Sequence, residues 1–417
     1  MTTTPTYHIT PALRFPDFAN YGEWEVKRLG DCLIQSPDYG LNAPAIPYSA
    51  NLPTYLRITD ISDDGYYIKE GKTSVDTVLT SENSLQEGDI VFARTGASVG
   101  KVYKYRKEDG PLVFAGFLIR IKPDNTKLCS DFLFHFLFSN TYNRWVEVTS
   151  TRSGQPGINS TDIASLQIPY PPLAEQQRIA VALSEIDTQL SATNDKLKKL
   201  KAYKKGLLQK LFPAKSKTLP EFRFKEFEND GEWKEKNLGE VTQCINRRNK
   251  SNRALPIYSI SNTDGFIPQS EQFAGLDSGS RGYDISLYKI VGKHTFAYNP
   301  ARINVGSIGY SGDLKDVLIS SLYVCFKTSD EMDDSFLMYF FSTSMFKQTV
   351  ENNVEGGIRS YLFYENFSKI KIAYPTLNEQ KKIALCLSST DDLINTYTNK
   401  LLLLQTYKTG LMQQLFP

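Results

Sequence analysis

The stretch FARTGASVGK at 92–101 places Arg94, Thr95, Ser98 and Lys101 among glycines that let a loop approach a partner closely. TSTRSGQPGIN at 149–159 adds Arg152, Gln155 and Asn159. A second set stands about two hundred residues later. FAYNPARINVG at 296–306 carries Asn299, Arg302 and Asn304, Ser307 follows directly, and EGGIRSY at 355–361 carries Arg359 and Tyr361. Arg paired to guanine, and Asn or Gln to adenine, read base edges in a major groove, whereas Ser, Thr and Lys mostly hold phosphates. Ordinary polar turns use the same residue types for geometry. Recurrence at like places in two halves of the chain favours recognition of DNA over turn geometry.

Catalysis finds less support. GASVGK at 96–101 has three residues between its glycines where a phosphate-binding loop has four, and Val102 stands where that loop needs a hydroxyl. The acidic residues of Pro16-Asp17 and Glu25-Val26-Lys27 imitate a nuclease metal site, but the second half writes Lys225-Glu226 and Lys234-Glu235-Lys236 at those places. IPYPPL at 168–173 lacks the Asp/Asn-Pro-Pro-aromatic order of an amino-methyltransferase. His8, His135 and His294 stand far apart, and His135 inside FLFHFLF reads as a core residue, so neither a catalytic nor a metal centre is expected.

The elements that position these loops are written twice. RFPDFANYGEWEVKRLGD at 14–31 returns as RFKEFENDGEWKEKNLGE at 223–240, and LLQKLFP at 207–213 returns as LMQQLFP at 411–417. At an offset of 204, Pro171, Leu173, Glu175, Gln176, Ile179 and Ala180 match Pro375, Leu377, Glu379, Gln380, Ile383 and Ala384. Between these matched ends, 32–150 and 241–350 share only short echoes. One frame therefore holds two different fillings. With 417 residues, 41% apolar and 23% charged, the chain has the composition of an ordinary soluble protein. The net charge of +2 is weak for a nucleic-acid binder acting alone, and five scattered Cys suggest no disulfide framework. No membrane span or signal pattern is read, so a cytoplasmic location is expected.

Each half closes on a heptad seam whose steps alternate four and three. In the first copy it runs through Ile179, Leu183, Ile186, Leu190, Thr193, Leu197, Leu200, Lys204, Leu207 and Leu211. The second runs through Ile383, Leu387, Thr390, Ile394, Tyr397, Leu401, Leu404, Lys408, Leu411 and Leu415. Pro171, Pro172 and Pro375 precede the helices, and Asn378 is read as an N-cap. Each rod spans roughly 58 Å, and its apolar seam needs a partner, most simply the other copy run antiparallel as a ruler. The fillings read as α+β, with YLRITDI, DIVFART, KVYKY and LVFAGFLIRI as strands. One buried helix is expected at 130–148 and one at 333–351. The expected map is a globular domain over 1–173, a long helix over 174–213, a second globular domain over 214–377 and a second helix over 378–417.

The paired RFxxF…GEW…LG openings, the GDIVFARTG-like loop, and IPYPPLAEQQRIA and IAYPTLNEQKKIA before the long helices carry a resemblance. With the closing YKKGLLQKLFP and YKTGLMQQLFP, the chain resembles the specificity subunit of type I restriction-modification enzymes over essentially its whole length. The resemblance implies two target-recognition domains that each read half of a split DNA sequence, separated by two long antiparallel coiled-coil helices. It implies no catalysis and no cofactor in this chain. Two partner modification subunits would carry S-adenosylmethionine and methylate adenine, and restriction subunits would use ATP and Mg for translocation and cleavage. The second half departs from the pattern: its loop is longer and lacks the ART core. On residues alone, a two-headed protein-binding scaffold with a coiled-coil spacer is the other reading.

Overall fold

A computed structural model describes residues 8–78, 81–151, 156–215, 217–273, 275–353 and 361–416. Two compact units divide the chain, Met1–Asn194 with Asn399–Pro417, and Asp195–Thr398. The division falls inside both long helices, so each unit holds one half of each.

In the first unit, strand Trp24–Arg28 pairs antiparallel with His8–Ile9 and with Gln167–Tyr170. The beginning and the end of the globular part thus meet just before the long helix. A four-stranded antiparallel sheet runs in the order Asp38–Tyr39, Leu118–Ile121, Ile90–Ala93, Val102–Lys104. A second four-stranded sheet contains a parallel pair, Thr54–Leu56 with Leu112–Phe114. LVFAGFLIRI is therefore two strands in different sheets, not one run. The Gly116 amide donates to Leu41 O at 2.7 Å and the Leu118 amide to Ala115 O at 2.8 Å, turning the chain between them.

The second unit pairs Lys234–Asn237 with Lys371–Tyr374. Its four-stranded sheet orders Thr242–Ile245, Val324–Thr328, Phe296–Tyr298, Ile308–Tyr310. The single buried helix expected in each half is two. Ser130–Phe136 is followed by Asn140–Ser150, and Asp334–Ser342 by Ser344–Asn353. A hydroxyl at the same place in each copy makes the break. Ser139 Oγ accepts from the Tyr142 amide, and Thr343 Oγ1 from the Phe346 amide, each at 3.2 Å, which starts a new helix instead of continuing the old one.

The long helices run Leu173–Leu211 and Leu377–Leu415. Asn378 lies inside the second helix, one residue past its first, and is not its cap. Along the first seam Ile179, Leu183, Ile186, Thr193, Leu197, Leu200 and Leu211 are buried, and along the second Ile383, Leu387, Thr390 and Leu415. The helices run antiparallel in each unit. In the first, Asp187 near the start of one pairs with Lys408 near the end of the other at 2.5 Å. In the second, Lys204 and Asp391 make the reciprocal pair at 2.5 Å.

The repeated ending closes the core of each unit. Met412, Leu415 and Phe416 join the first unit's core, with the Phe416 ring 5.5 Å from Phe132 and 5.8 Å from Phe136. Leu211 and Phe212 join the second unit's core, with Phe212 stacked 4.9 Å from Phe336. Each such buried side chain is worth about 1.5–3 kcal/mol relative to exposure.

The paired Glu-Gln at each helix start is equally structural. Arg14 donates two bonds of 2.7 Å to Glu175, whose carboxylate also accepts from Trp24 Nε1 at 3.2 Å. Arg223 holds Glu379 in the same way at 2.8 and 2.7 Å. Gln176 accepts from the Cys129 amide and donates to Lys127 O and Pro171 O, while Gln380 repeats this with Asp333, Glu331 and Pro375. All four carboxylate and amide side chains are buried, and buried polar groups need such partners.

Candidate nucleic-acid interface

In the first unit, Arg94 leaves the end of strand Ile90–Ala93. Its amide donates to Phe117 O at 3.1 Å, and its carbonyl accepts from the Ile158 amide at 2.9 Å. Thr95 forms a β-bridge to Gly157. The two stretches singled out in this half, around 94–101 and 156–159, are thus brought together. Gly96 at φ +76° and Gly100 at φ +82° shape the loop, and a Cβ on Gly100 would lie 2.6 Å from Val146 Cγ1. Arg152 and Gln155 lie outside the described residues, as does Arg359 in the second half.

Not every candidate keeps a free side chain. Lys101 Nζ donates to Ile61 O and pairs with Asp63, each at 2.8 Å. Asn159 caps helix Ser160–Ser165 by accepting from the Asp162 amide at 2.9 Å. Ser98 is half-buried at the end of the short turn 96–98. Arg94 differs. Among the described residues its guanidinium makes no hydrogen bond or ion pair, and it lies 5.0 Å over the Tyr39 ring.

Arg94, Tyr39 and Phe117 line an open hollow of about 810 Å³ with Leu41, Tyr55 and Arg57. Arg57 is taken up by Asp60, which accepts from its Nε at 2.9 Å and its Nη2 at 2.6 Å. Phe117 is 64% exposed at the turn between the two sheets. Burial raises the Tyr39 phenol, but its hydrogen bonds with Ser160 and the Arg94 charge outweigh that and hold it below its ordinary value.

The second unit brings its stretches together too, through the Leu362 amide donating to Pro300 O at 3.0 Å. Arg302 and Asn304 are exposed there. Asn299 is half-buried and accepts from the Ala301 amide at 3.0 Å, and Ser307 is buried with its hydroxyl donating to Ile260 O at 3.1 Å. Tyr361 stacks on Phe363 at 5.7 Å.

Sequence reasoning missed Tyr39 and Phe117, which stand in no glycine-rich loop. It also passed over NRRNKSNR at 246–253, where Arg247 and Arg253 pair with Asp316 while Arg248 and Lys250 are exposed. Arg281, 4.6 Å over Phe273 and 5.4 Å over Tyr283, makes an exposed basic-aromatic group in the same unit. The basic run at 246–253 and Arg281-Gly-Tyr283 were signals in the sequence, whereas Tyr39 and Phe117 carried none.

The family model described as "Type I restriction modification DNA specificity domain" matches residues 21–202 and again 230–404. Two Methanocaldococcus jannaschii proteins are similar along most of their length. The type I restriction enzyme MjaVIII specificity subunit is 23% identical, with 92% of this chain and 88% of that protein covered. A provisionally named type I restriction enzyme MjaX specificity subunit is 26% identical, with 89% and 88% covered. The crystal structure of a type I restriction-modification system S subunit from M. genitalium shares the fold with a TM-score of 0.64 at 16% identity, covering 98% of this chain and 99% of that one.

Proposed function

The chain belongs to the type I restriction modification DNA specificity family and is a DNA-recognition subunit without catalysis of its own, and we propose that it reads an asymmetric target in two parts, one with each globular half. One observation carries this reading. The frame is the same twice, down to Arg14–Glu175 and Arg223–Glu379, while the loops it presents differ in length, charge and residue type. Like frames with unlike fillings read unlike sequences.

Membership implies assembly with other restriction-modification subunits and DNA. The finer arrangement belongs to the proposal. Two modification subunits supply S-adenosylmethionine and adenine methylation, and restriction subunits supply ATP- and Mg-dependent translocation and cleavage. The weak net charge of +2 fits a subunit that needs such partners for affinity. No helix among the described residues is long and apolar enough to cross a membrane, and we place the complex in the cytoplasm.

The test is to co-express the chain with a modification subunit and map the methylated adenines. A two-part, non-palindromic motif with an unread spacer is expected, and a palindromic motif from the intact chain refutes the reading. Exchanging residues 32–150 for another filling is expected to change one half of the motif and leave the other.

A further inference from the structure

Within the hollow of the first unit, Arg94 is held at three points. Its backbone is fixed on both sides by Phe117 O and the Ile158 amide. Its guanidinium rests on Tyr39, and Tyr39 is itself fixed. The ring belongs to the strand Asp38–Tyr39 opposite Ile119, and its hydroxyl meets the Ser160 amide at 3.2 Å and the Ser160 hydroxyl at 3.4 Å. A guanidinium drawn to the face of a ring is restricted in where its planar fork of N–H donors can point. Those donors have no acceptor among the described residues, although the other guanidinium lining the hollow, that of Arg57, is held by Asp60 through its Nε and Nη2.

We infer that Arg94 reads a guanine in the first half-site, donating in parallel to O6 and N7, and that Tyr39 is the positioning residue that orients its fork. This deepens the two-part reading above and rests on it. Guanine is the base edge that offers two acceptors to such a fork in the major groove. A phosphate also accepts a fork, but needs no orientation fixed by a ring and two backbone bonds. In the second unit the place of Arg94 is taken by Pro300, whose carbonyl accepts from the Leu362 amide as that of Arg94 accepts from the Ile158 amide, and a proline carries no fork of donors. Guanine reading at this place is therefore a property of the first half alone.

The full chain, co-expressed with its modification subunit, tests this by methylation mapping of R94A, R94K, Y39L and Y39F. The wild-type first half-site is expected to contain a guanine at which R94A loses preference by roughly 5- to 160-fold, with the second half-site unchanged. R94K keeps charge but not the fork and is expected to relax the same position, so it decides the matter if R94A does not fold. Y39L is expected to relax that position too, whereas Y39F, which keeps the ring, preserves the motif. A purely structural role for Tyr39 would lower methylation evenly and leave the motif intact, which overturns its assignment. An even loss in R94A and R94K with every base preference retained marks a phosphate contact and overturns the inference, as does a first half-site without guanine. A wild-type chain that directs no two-part motif overturns the underlying reading and this one with it.

Discussion

Cutting the chain after Pro213 removes the helix end that completes the first unit's core. The fragment 1–213 loses Met412, Leu415 and Phe416 from beside Phe132 and Phe136, and it loses Lys408 from Asp187. Its own ending, however, carries the same chemistry 204 residues earlier: Leu208, Leu211 and Phe212, with Lys204 at the place of Lys408. A second copy run antiparallel can insert that ending into the first copy's core and receive the same in return. Leu197, Leu200, Leu211 and Phe212 are buried in the full chain, and eight such side chains in a dimer contribute roughly 12–24 kcal/mol. Association costs about 4–15 kcal/mol in lost freedom, so the middle of both ranges leaves about 8 kcal/mol, a micromolar dissociation constant. Sedimentation is expected to show a two-fold symmetric dimer, which with modification subunits directs methylation to a palindrome of the first half-site. The pairing also predicts its own rescue. D187K sets like charges against Lys204 and is expected to dissociate the dimer, and D187K with K204D restores it. A fragment that is folded by circular dichroism yet monomeric at about a hundred micromolar, well above that dissociation constant, refutes the reasoning.

Two further predictions concern acid and length. His135 is buried, faces Ser184 and Asp187, and is held down to about 3 by burial first and then by the charges of Lys408, Lys104 and Arg106. The folded chain keeps it neutral while the unfolded chain protonates below about 6.5, so stability falls with pH, by about 2 kcal/mol between pH 7 and 5. H135Y copies Tyr339, whose hydroxyl donates to Asp391 at 2.9 Å, and is expected to shrink the drop in Tm over that range; an equal drop refutes the assignment. One heptad inserted at the middle of each long helix, between the two Asp–Lys pairs, adds roughly 10.5 Å and is expected to widen the unread spacer by about three base pairs. Changed half-site bases at an unchanged spacing would show that the helices do not set the distance.

The parts of the fold legible in the sequence were those with a period or a repeat. Alternating four- and three-residue steps located both seams, because burial on one stripe of a helix leaves that pattern whatever the rest of the chain does. The buried helices were located but not divided, since Ser139 and Thr343 read as ordinary polar residues until their hydroxyls are seen to accept from amides three residues on. The candidate interface was legible only as loops. Lys101, Asn159 and Ser307 have the right chemistry for DNA, but the fold spends them on Asp63, on a helix cap and on Ile260 O. Tyr39, 55 residues before Arg94, could be joined to it only through sheet pairing with the strand that lies between them.

The same accounting explains why the frame is constant and the fillings vary. The repeated ending does not pack only within its own half of the sequence: Phe416 enters the core built around Phe132, and Phe212 the core built around Phe336. Each ending must therefore fit a socket made by the other half of the chain or by a distant part of it, and a change in one socket is a misfit for an ending encoded far away, 284 residues for Phe416 and Phe132 and 124 for Phe212 and Phe336. Two sockets that each receive a Leu-Phe ending are under the same demand, which keeps Leu-Phe-Pro, the Glu-Gln at the helix starts and the Asp–Lys pairs alike in both copies. Arg94 and Tyr39 meet no such demand, because the guanidinium faces the hollow and bonds to no described residue. A filling can change its side chains there without disturbing either ending, and specificity is free to diverge where the frame is not.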